Sequence, residues 1–402
     1  MEIVFWLSLG LIVYCYLGYP LLMALSALVR TVPVRKGDIR PTVSVVLSVW
    51  NEADVIETKI RNLLALDYPA EKIEILIGSD HSDDGTDDII RGFPDARVRF
   101  VAAPQRRGKT LMLNDLVAQA QNEIVVFTDA RQVLDKDAVR QLVNNFADPC
   151  VGCVSGELVF FQSQGSATGR GVSLYWRYEK FIRACESRIH SMLGATGAIY
   201  AIRRELFTPL PAPVVLDDMF IPFQIIRKKF RAVFDGTAKA YDYAAEEPRE
   251  EYRRKVRTLY GNYQIFALLP WMFNPFQSPV AWQLFSHKLL RLLAPFLLLA
   301  VLVSNFYLLP FARYWMVFVL QLLFYGLAVM EWLVIKRKYG IVKILRKIGY
   351  VPYVFCLLNG AALAGLWRFL RGGQPVTWQK ARGQTQEVST VEKAKANETL
   401  DA

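Results

Sequence analysis

Four long apolar stretches constrain the fold of this 402-residue chain more than any other feature of its sequence. The first, Ile3–Val29, contains no charged residue. Comparable stretches lie near the other end of the chain, at Leu289–Pro310, Tyr314–Ile335 and Ile348–Phe369. Because about 20 apolar residues suffice to cross a bilayer, the sequence predicts one membrane span before a soluble domain and three spans after it.

The first stretch is predicted to be a retained membrane anchor rather than a cleaved signal peptide. Glu2 is the only charged residue before this stretch, and basic residues follow it. A secretory signal has the reverse arrangement, with basic residues before its apolar segment. Basic residues mark the cytoplasmic flank of a span, so Arg30–Arg40 predicts a cytoplasmic soluble domain in a plasma (inner) membrane protein. The basic loop Lys336–Lys347 falls on the same side, whereas the side of the tail after Arg371 is left open.

The net charge of +11 is explained by this topology, and no nucleic-acid-binding motif accompanies it. Cys150 and Cys153 form a C-x-x-C pair, but the chain has no second such pair and only 3 histidines. A zinc site is therefore not expected, and two small residues in an apolar strand are the favoured interpretation.

Residues 40–262 have the composition of a soluble domain and alternate short apolar strands with helical segments. Strands are predicted at Val43–Val49, Ile73–Ile77, Val98–Ala102 and Glu123–Thr128. Helices are predicted at Glu52–Leu66, Asp87–Gly92 and Lys109–Gln121. Such alternation predicts an α/β fold with a mostly parallel sheet and helices on both faces.

Polar residues collect where three of the predicted strands end, at Trp50–Glu52, Ser79–Thr86 and Thr128–Arg131. In open sheets of this class, ligands bind outside the carboxyl ends of the strands. Acidic residues that served only solubility would not collect at three such ends. The pattern therefore predicts a ligand site rather than solvated loops.

Five motifs, in order, resemble those of the membrane-bound family 2 glycosyltransferases. They read V-S-V-V-L-S-V-W-N-E, S-D-H-S-D-D-G-T, R-G-K-T-L-M-L-N-D-L, V-V-F-T-D-A-R and L-D-D-M-F. The resemblance covers about residues 40–265, and the flanking spans resemble the branch that contains cellulose, hyaluronan and poly-N-acetylglucosamine synthases. It implies a Rossmann-like GT-A catalytic domain joined to a helical transmembrane region, and a nucleotide-diphosphate sugar donor, with a UDP-sugar expected.

The resemblance also implies which residues bind the donor. The nucleotide-sugar site is expected to contain Asn51, Glu52, Asp80, Asp84, Lys109, Asn114 and Arg257. Asp129 matches the first aspartate of the family's D-x-D motif, which holds Mg²⁺ or Mn²⁺ on the diphosphate. Here the motif reads Asp129-Ala130-Arg131, so the second carboxylate is missing. Either one carboxylate suffices, or the metal is held weakly, or Arg131 replaces part of its charge; a simple turn after the strand is the alternative.

Asp218 matches the family's catalytic base, which removes the proton from the acceptor hydroxyl. Asp217 and Asp218 also open a predicted helix over Met219–Ile226, where an N-terminal cap is an alternative role. The resemblance places Gly197, Asp217 and Arg254 near the acceptor.

The family's Q-x-x-R-W landmark is degenerate in this chain. The matching window is Arg254–Thr258, in which only Arg257 is retained, so processive synthesis is in doubt. These arginines are predicted to clamp the pyrophosphate, and a basic interfacial helix that faces anionic lipid is an equal alternative.

Together these features predict five regions: a membrane anchor at 1–30, the GT-A domain at 40–262, interfacial helices at 263–288, three spans at 289–370 and a polar basic tail at 371–402. We expect an inverting transferase that acts on a glycan in exopolysaccharide or capsule synthesis. The alternatives are transfer of a single sugar to a polyprenyl-phosphate lipid, and a non-catalytic scaffold or nucleotide-sugar sensor. Membrane lipid is an expected partner, a second copy of the chain and export proteins are open as partners, and nucleic acid is not expected.

Overall fold

The computed structural model describes residues 1–161, 167–243, 248–337 and 343–372. Residues 338–342 of the predicted loop 336–347 and residues 373–402 of the predicted tail lie outside the described residues. The strands are β1 Val43–Val49, β2 Ile73–Ser79, β3 Val98–Ala102, β4 Ile124–Thr128, β5 Val133–Leu134, β6 Val151–Phe161, β7 Ile199–Arg203 and β8 Arg231–Tyr243. The helices are α1 Glu2–Val13, α2 Tyr19–Val29, α3 Ala53–Leu64, α4 Thr86–Arg91, α5 Lys109–Gln119, α6 Ala138–Asn144, α7 Ala167–Ile189, α8 Asp217–Arg227, α9 Pro248–Leu268, α10 Ala281–Gln283, α11 Leu290–Leu308, α12 Ala312–Arg337 and α13 Lys343–Leu370.

The soluble part is built on one sheet with strand order β3-β2-β1-β4-β7-β6-β8-β5. Strands β1 to β4 are parallel, β7 is antiparallel to both of its neighbours, and β5 is antiparallel to β8. Every residue of β1 is buried, as expected of a strand covered on both faces. The predicted α/β fold with a mostly parallel sheet is confirmed.

Helices cover both faces of this sheet because the strands are apolar on both sides. Met112 and Leu116 of α5 and Phe223 of α8 pack with one buried cluster, which also holds Val46 of β1. Ile56 and Ile60 of α3 and residues of α6 pack with the second cluster on the opposite face. The carboxyl ends of β1, β2 and β4 are thereby held at one edge.

The four predicted strands and the helices between them are all present, with small differences at their ends. The second strand continues to Ser79, beyond the predicted Ile77, since Gly78 and Ser79 pair with Val101 and Ala102 of β3. Cys153 lies fully buried in β6, as expected of a small residue in an apolar strand, whereas Cys150 is exposed and lies just before that strand.

In the part of the chain that the structure describes, four helices are long and apolar enough to cross a membrane: Glu2–Val29, Ala281–Leu308, Ala312–Leu333 and Gly349–Leu370. They match the four apolar stretches of the sequence. The second begins at Ala281 rather than at Leu289, because a π-helical turn over Leu284–Leu289 joins α10 to α11 without a break.

The end of α13 returns to the soluble part of the molecule. The Phe369 ring lies 6.1 Å from both the Tyr260 and the Tyr263 ring of α9. Gly365 lets the two helices touch, since a Cβ atom there would lie 2.9 Å from the backbone nitrogen of Tyr260. The last described residues therefore lie beside α9.

Candidate active site

The loops after β1 and β2 are fastened to each other by side chains that the sequence assigned to the donor. Asn51 has a left-handed backbone with a φ of 53°, and its amide donates to Asp83 Oδ1 at 2.6 Å. The Asp83 backbone N–H donates back to Asn51 Oδ1 at 3.0 Å. Left-handed backbone is unfavourable for non-glycine residues and is typical of functional loops that the surroundings hold in place.

Asp84 and Glu52 complete this fastening. Asp84 accepts hydrogen bonds from the backbone N–H groups of Ala53 and Thr86, both at 3.1 Å. Glu52 lies 3.5 Å from Arg131 Nε, so the arginine that replaces the second acid of the D-x-D motif is paired with a carboxylate. These residues shape the site in this structure by linking its loops.

Asp80 fixes the turn that leads to Lys109. It is 1% exposed, and its two oxygens accept from the backbone N–H groups of Arg107 at 2.7 Å and Gly108 at 2.8 Å. Gly108 has a φ of 92°, which favours glycine at the start of α5. Asp80 thus positions the basic residue that follows.

Lys109 lies between the predicted metal ligand and the predicted acceptor residues. Its Nζ is 2.9 Å from Asp129 Oδ1 and 3.4 Å from Asp217 Oδ1. Burial alone would lower the pKa of Lys109, but the charges of Asp129 and Asp217 outweigh burial and raise it. The ammonium group therefore stays charged within a cluster of aspartates.

Asp218 completes this cluster. Burial and the neighbouring Asp217 charge raise the pKa of Asp218 to about 6, against the opposing effect of Lys109. Gly197 leaves room for the carboxylates, because a Cβ atom there would lie 3.3 Å from Asp218 Oδ2 and 3.9 Å from Asp129 Oδ2. A carboxylate with such a pKa can accept a proton near neutral pH.

The donor set of this cluster fits a divalent cation that the substrate helps to bind. The Asp129 side chain is 42% exposed, and only its Oδ1 is engaged by Lys109 in the described structure. Within the described residues, no group of three or more His, Cys, Asp or Glu side chains could enclose a metal ion. Mg²⁺ is commonly held by one or two carboxylates together with substrate phosphates, so Asp129 fits such a site.

Among the described residues, no hydrogen bond or ion pair joins Asn114 or Arg257 to the cluster, and the Arg254 carbonyl accepts from Thr258 Oγ1 at 3.0 Å within α9. The Asn114 amide instead donates to Leu210 O at 2.9 Å and accepts from the Leu210 N–H at 2.9 Å. Helix α9, which carries both arginines, reaches the site through Gly261, where a Cβ atom would lie 2.5 Å from Leu216 Cγ. Leu216 precedes the two aspartates of α8.

Lys59 was missed by the sequence analysis, although it is part of the site's support. It is 2% exposed, and its Nζ donates to Thr128 Oγ1 at 2.9 Å and to Gln132 O at 2.7 Å, on both sides of Asp129. Burial lowers the pKa of Lys59 to about 7, against the opposing charge of Asp129. Its position between Ile56 and Leu63, on the apolar face of α3, was the available signal.

Two further arginines near the site lie outside the five sequence motifs. Arg183 of α7 donates to Thr196 Oγ1, and its charge counters the rise in the pKa of Asp218. The Arg106 guanidinium carbon lies 3.4 Å from the centre of the Trp50 ring, at the ends of the loops described above. Neither contact follows from helical or strand spacing, because the partners lie 13 and 56 residues apart in the chain.

Comparison with known proteins agrees with this geometry. The family described as "Glycosyltransferase like family 2" matches residues 41–261. The poly-beta-1,6-N-acetyl-D-glucosamine synthase of Staphylococcus aureus (strain MSSA476) is 27% identical over 236 residues, which is 56% of this chain and 55% of that protein. A beta-monoglucosyldiacylglycerol synthase of Synechocystis is 30% identical over 152 residues, which is 35% of this chain and 32% of that protein. The chain thus spans about half the length, or less, of these curated relatives.

A solved structure supports the fold over nearly the whole chain. The mannosyltransferase PcManGT from Pyrobaculum calidifontis, in complex with GDP-Man and Mn²⁺, matches with a TM-score of 0.68 and 22% identity. The match covers 92% of this chain and 100% of that one. At this identity, the likeness supports a shared GT-A architecture that includes the membrane helices.

Proposed function

Because this chain belongs to glycosyltransferase family 2, we propose that it transfers a sugar from a nucleotide-diphosphate sugar to an acceptor hydroxyl, with inversion at the anomeric carbon. The observation that carries this proposal is the cluster of Asp129, Asp217 and Asp218 around the Lys109 ammonium group. A scaffold would not need a carboxylate of raised pKa beside an exposed one in the same cleft.

Asp218 acts as the general base in this proposal. As the acceptor oxygen attacks the anomeric carbon, Asp218 takes the hydroxyl proton, and the bond between the sugar and the diphosphate breaks. Lys109 remains charged and stabilises the negative charge that develops on the departing nucleoside diphosphate. Asp217 raises the pKa of Asp218 toward neutral pH, which makes the base stronger.

Asp129 is proposed to hold the divalent cation with the donor's diphosphate. The Mn²⁺ bound by the Pyrobaculum mannosyltransferase supports a metal requirement, and this chain offers one exposed carboxylate for it. The ion would supply positive charge on the diphosphate oxygens. Lys109 adds a second positive charge beside the diphosphate, which supports a metal that Asp129 would hold without a second acid, because Arg131 stands at that position.

The acceptor is proposed to be a growing or lipid-linked glycan, and the catalytic cleft to face the cytoplasm. The Staphylococcus relative is named as the synthase of a polysaccharide, which supports a glycan acceptor. A second candidate is a lipid acceptor, because the Synechocystis relative is named as a glycolipid synthase.

The proposal is tested by incubating purified full-length protein with a panel of UDP- and GDP-sugars, with and without Mg²⁺ or Mn²⁺. We expect metal-dependent release of nucleoside diphosphate from one donor, with the label recovered in a glycan fraction. Label recovered on a lipid that carries a single sugar would instead select the second candidate. Tight nucleotide binding without release from any donor, in the presence of native membrane extract, would contradict catalysis and favour a sensor.

A further inference from the structure

A groove of about 780 Å³ lies between α9, α12 and α13, outside the catalytic cluster. Tyr252 and Arg253 line it from α9, Tyr325 and Trp332 from α12, and Tyr353 and Arg368 from α13. Two of these helices contain candidate membrane spans, whereas α9 belongs to the soluble part. The groove therefore lies where the catalytic domain meets the membrane helices.

The groove opens toward the bilayer. Val329 and Trp332, which line it, are 55% and 47% exposed on a helix that is apolar enough to cross a membrane. The rings of Trp332 and Tyr353 add apolar wall that a hydrocarbon chain can cover. A ligand in this groove would therefore enter it from the membrane.

The charge of the groove selects an anion. Arg253 and Arg368 are exposed and line the same groove, and no Asp or Glu is among its lining residues in the described structure. A guanidinium group binds phosphate oxygens through two parallel hydrogen bonds, and its aliphatic stem packs well on apolar surface. The remaining wall is built from aliphatic and aromatic side chains, which a soluble anion would not cover.

We propose that this groove binds one anionic phospholipid of the bilayer, with its phosphate at Arg253 and Arg368 and an acyl chain along α12 and α13. The bound lipid would join α9 to α13 at a point where the helices already touch through Gly365. Because α9 also packs on Leu216, next to Asp217, the lipid would stabilise the helix that supports the base. This inference does not depend on the identity of the donor or acceptor.

The test uses full-length protein reconstituted in nanodiscs of phosphatidylcholine with a minor fraction of phosphatidylglycerol. After release into detergent, native mass spectrometry counts the lipids retained. We expect one retained phosphatidylglycerol on the wild type, and occupancy about 10-fold lower or less in Arg253→Gln/Arg368→Gln. The control Arg313→Gln, which changes an exposed arginine that pairs with Glu2 and does not line the groove, should retain the lipid as the wild type does. Unchanged retention by the double variant, or equal retention of phosphatidylcholine by the wild type, would overturn the proposal.

A second measurement keeps the proposal testable if the double variant does not fold. Fluorescence of the wild type and of Trp332→Phe is compared in nanodiscs that contain brominated phosphatidylglycerol or brominated phosphatidylcholine. We expect the brominated anionic lipid to quench a Trp332 component that is absent in the variant, and the brominated neutral lipid to quench it several-fold less. Equal quenching by both lipids would contradict a site selective for the anionic headgroup. Because neither readout involves sugar transfer, failure here is separate from failure of the proposed function.

Discussion

The catalytic cleft and the contact between the catalytic domain and the membrane helices both concentrate charge, but they use it differently. In the cleft, Asp129 is 42% exposed and Asp218 carries a raised pKa, so these carboxylates are available to a substrate. At the membrane contact, Glu179 and Glu186 of α7 are buried and paired with residues from the spans. The exposed charge of the cleft fits the proposed chemistry, whereas the buried and paired charge of the membrane contact joins two parts of the molecule.

The membrane contact is a connected cluster, which we name the membrane cluster: Tyr19, Glu179, Glu186, His287 and Arg291. The Tyr19 hydroxyl donates to Glu186 Oε1 at 2.6 Å, and His287 Nδ1 lies 2.7 Å from the same oxygen. His287 Nε2 lies 3.2 Å from Glu179 Oε2, and Arg291 is ion-paired with Glu179. The cluster thus links the first span, the second span and α7.

Asp218→Asn should have the largest effect on turnover, and it tests whether the charge of the cleft serves the proposed chemistry. An amide cannot accept the proton, so we expect turnover to fall about 1000-fold, whereas nucleotide affinity should change little. Labelled-donor turnover and calorimetric titration of the nucleoside diphosphate measure the two quantities. Asp88→Asn, an exposed carboxylate of α4, serves as the matched control. Turnover that survives in Asp218→Asn would remove the proposed base.

Glu186→Gln tests whether the membrane cluster stabilises the contact between the catalytic domain and the membrane helices. Removing one charge from a buried, paired cluster is expected to lower the free energy of unfolding by about 3 kcal/mol. Glu2→Gln is the control, since its pair with Arg313 is exposed and should contribute only about 0–1 kcal/mol. Chemical denaturation in detergent micelles measures both. Equal stability of the two variants would show that the membrane cluster does not hold the domain to the spans.

Lys109→Gln tests the two proposed effects of the lysine charge in the cleft. The lysine charge lowers the pKa of Asp218 and is proposed to stabilise the leaving diphosphate. We expect the rate at neutral pH to fall about 100-fold and the apparent pKa of the base to rise. Lys109→Arg should recover part of the rate because it keeps the charge. A lower apparent pKa in Lys109→Gln would argue against this arrangement.

Gly197→Ala should have the smallest effect. Its new Cβ atom would lie 3.3 Å from Asp218 Oδ2, so the carboxylate must shift by a few tenths of an ångström. We expect about a 10-fold lower kcat with little change in nucleotide affinity, since misplacement of a reacting group lowers the rate. Gly10→Ala is the control, because nothing lies within 4 Å of the added atom there.

The sequence predicted the cleft far better than the membrane contact, and the reason is physical. Strands β1, β2 and β4 are short apolar runs, and each is followed directly by its polar residues, so local order was enough to place Asp80 and Asp129 at one edge. Even there, the sequence could not show that Asn51 and Asp84 fasten loops, because those hydrogen bonds join segments about 30 residues apart.

The membrane cluster has no local signature. Glu186 pairs with Tyr19 and His287, which are 167 and 101 residues away in the chain. In the sequence, a histidine or an arginine near the end of an apolar stretch is typical of the polar residues that flank a membrane span. A glutamate in a helix such as α7 is typical of an exposed position. Only the tertiary packing of α2 and α11 against α7 shows that they are buried together.

The central claim is that Asp218, with a pKa raised by burial and by Asp217, is the base of a sugar transfer. The most direct test is the pH dependence of kcat/KM between pH 4.5 and 8 at saturating metal. The account predicts a tenfold rise per pH unit below an apparent pKa of about 6 and a plateau above it, because only the deprotonated carboxylate accepts the proton. A flat profile across this range would contradict the claim, provided that it is measured on the wild-type protein under conditions where the chemical step limits the rate.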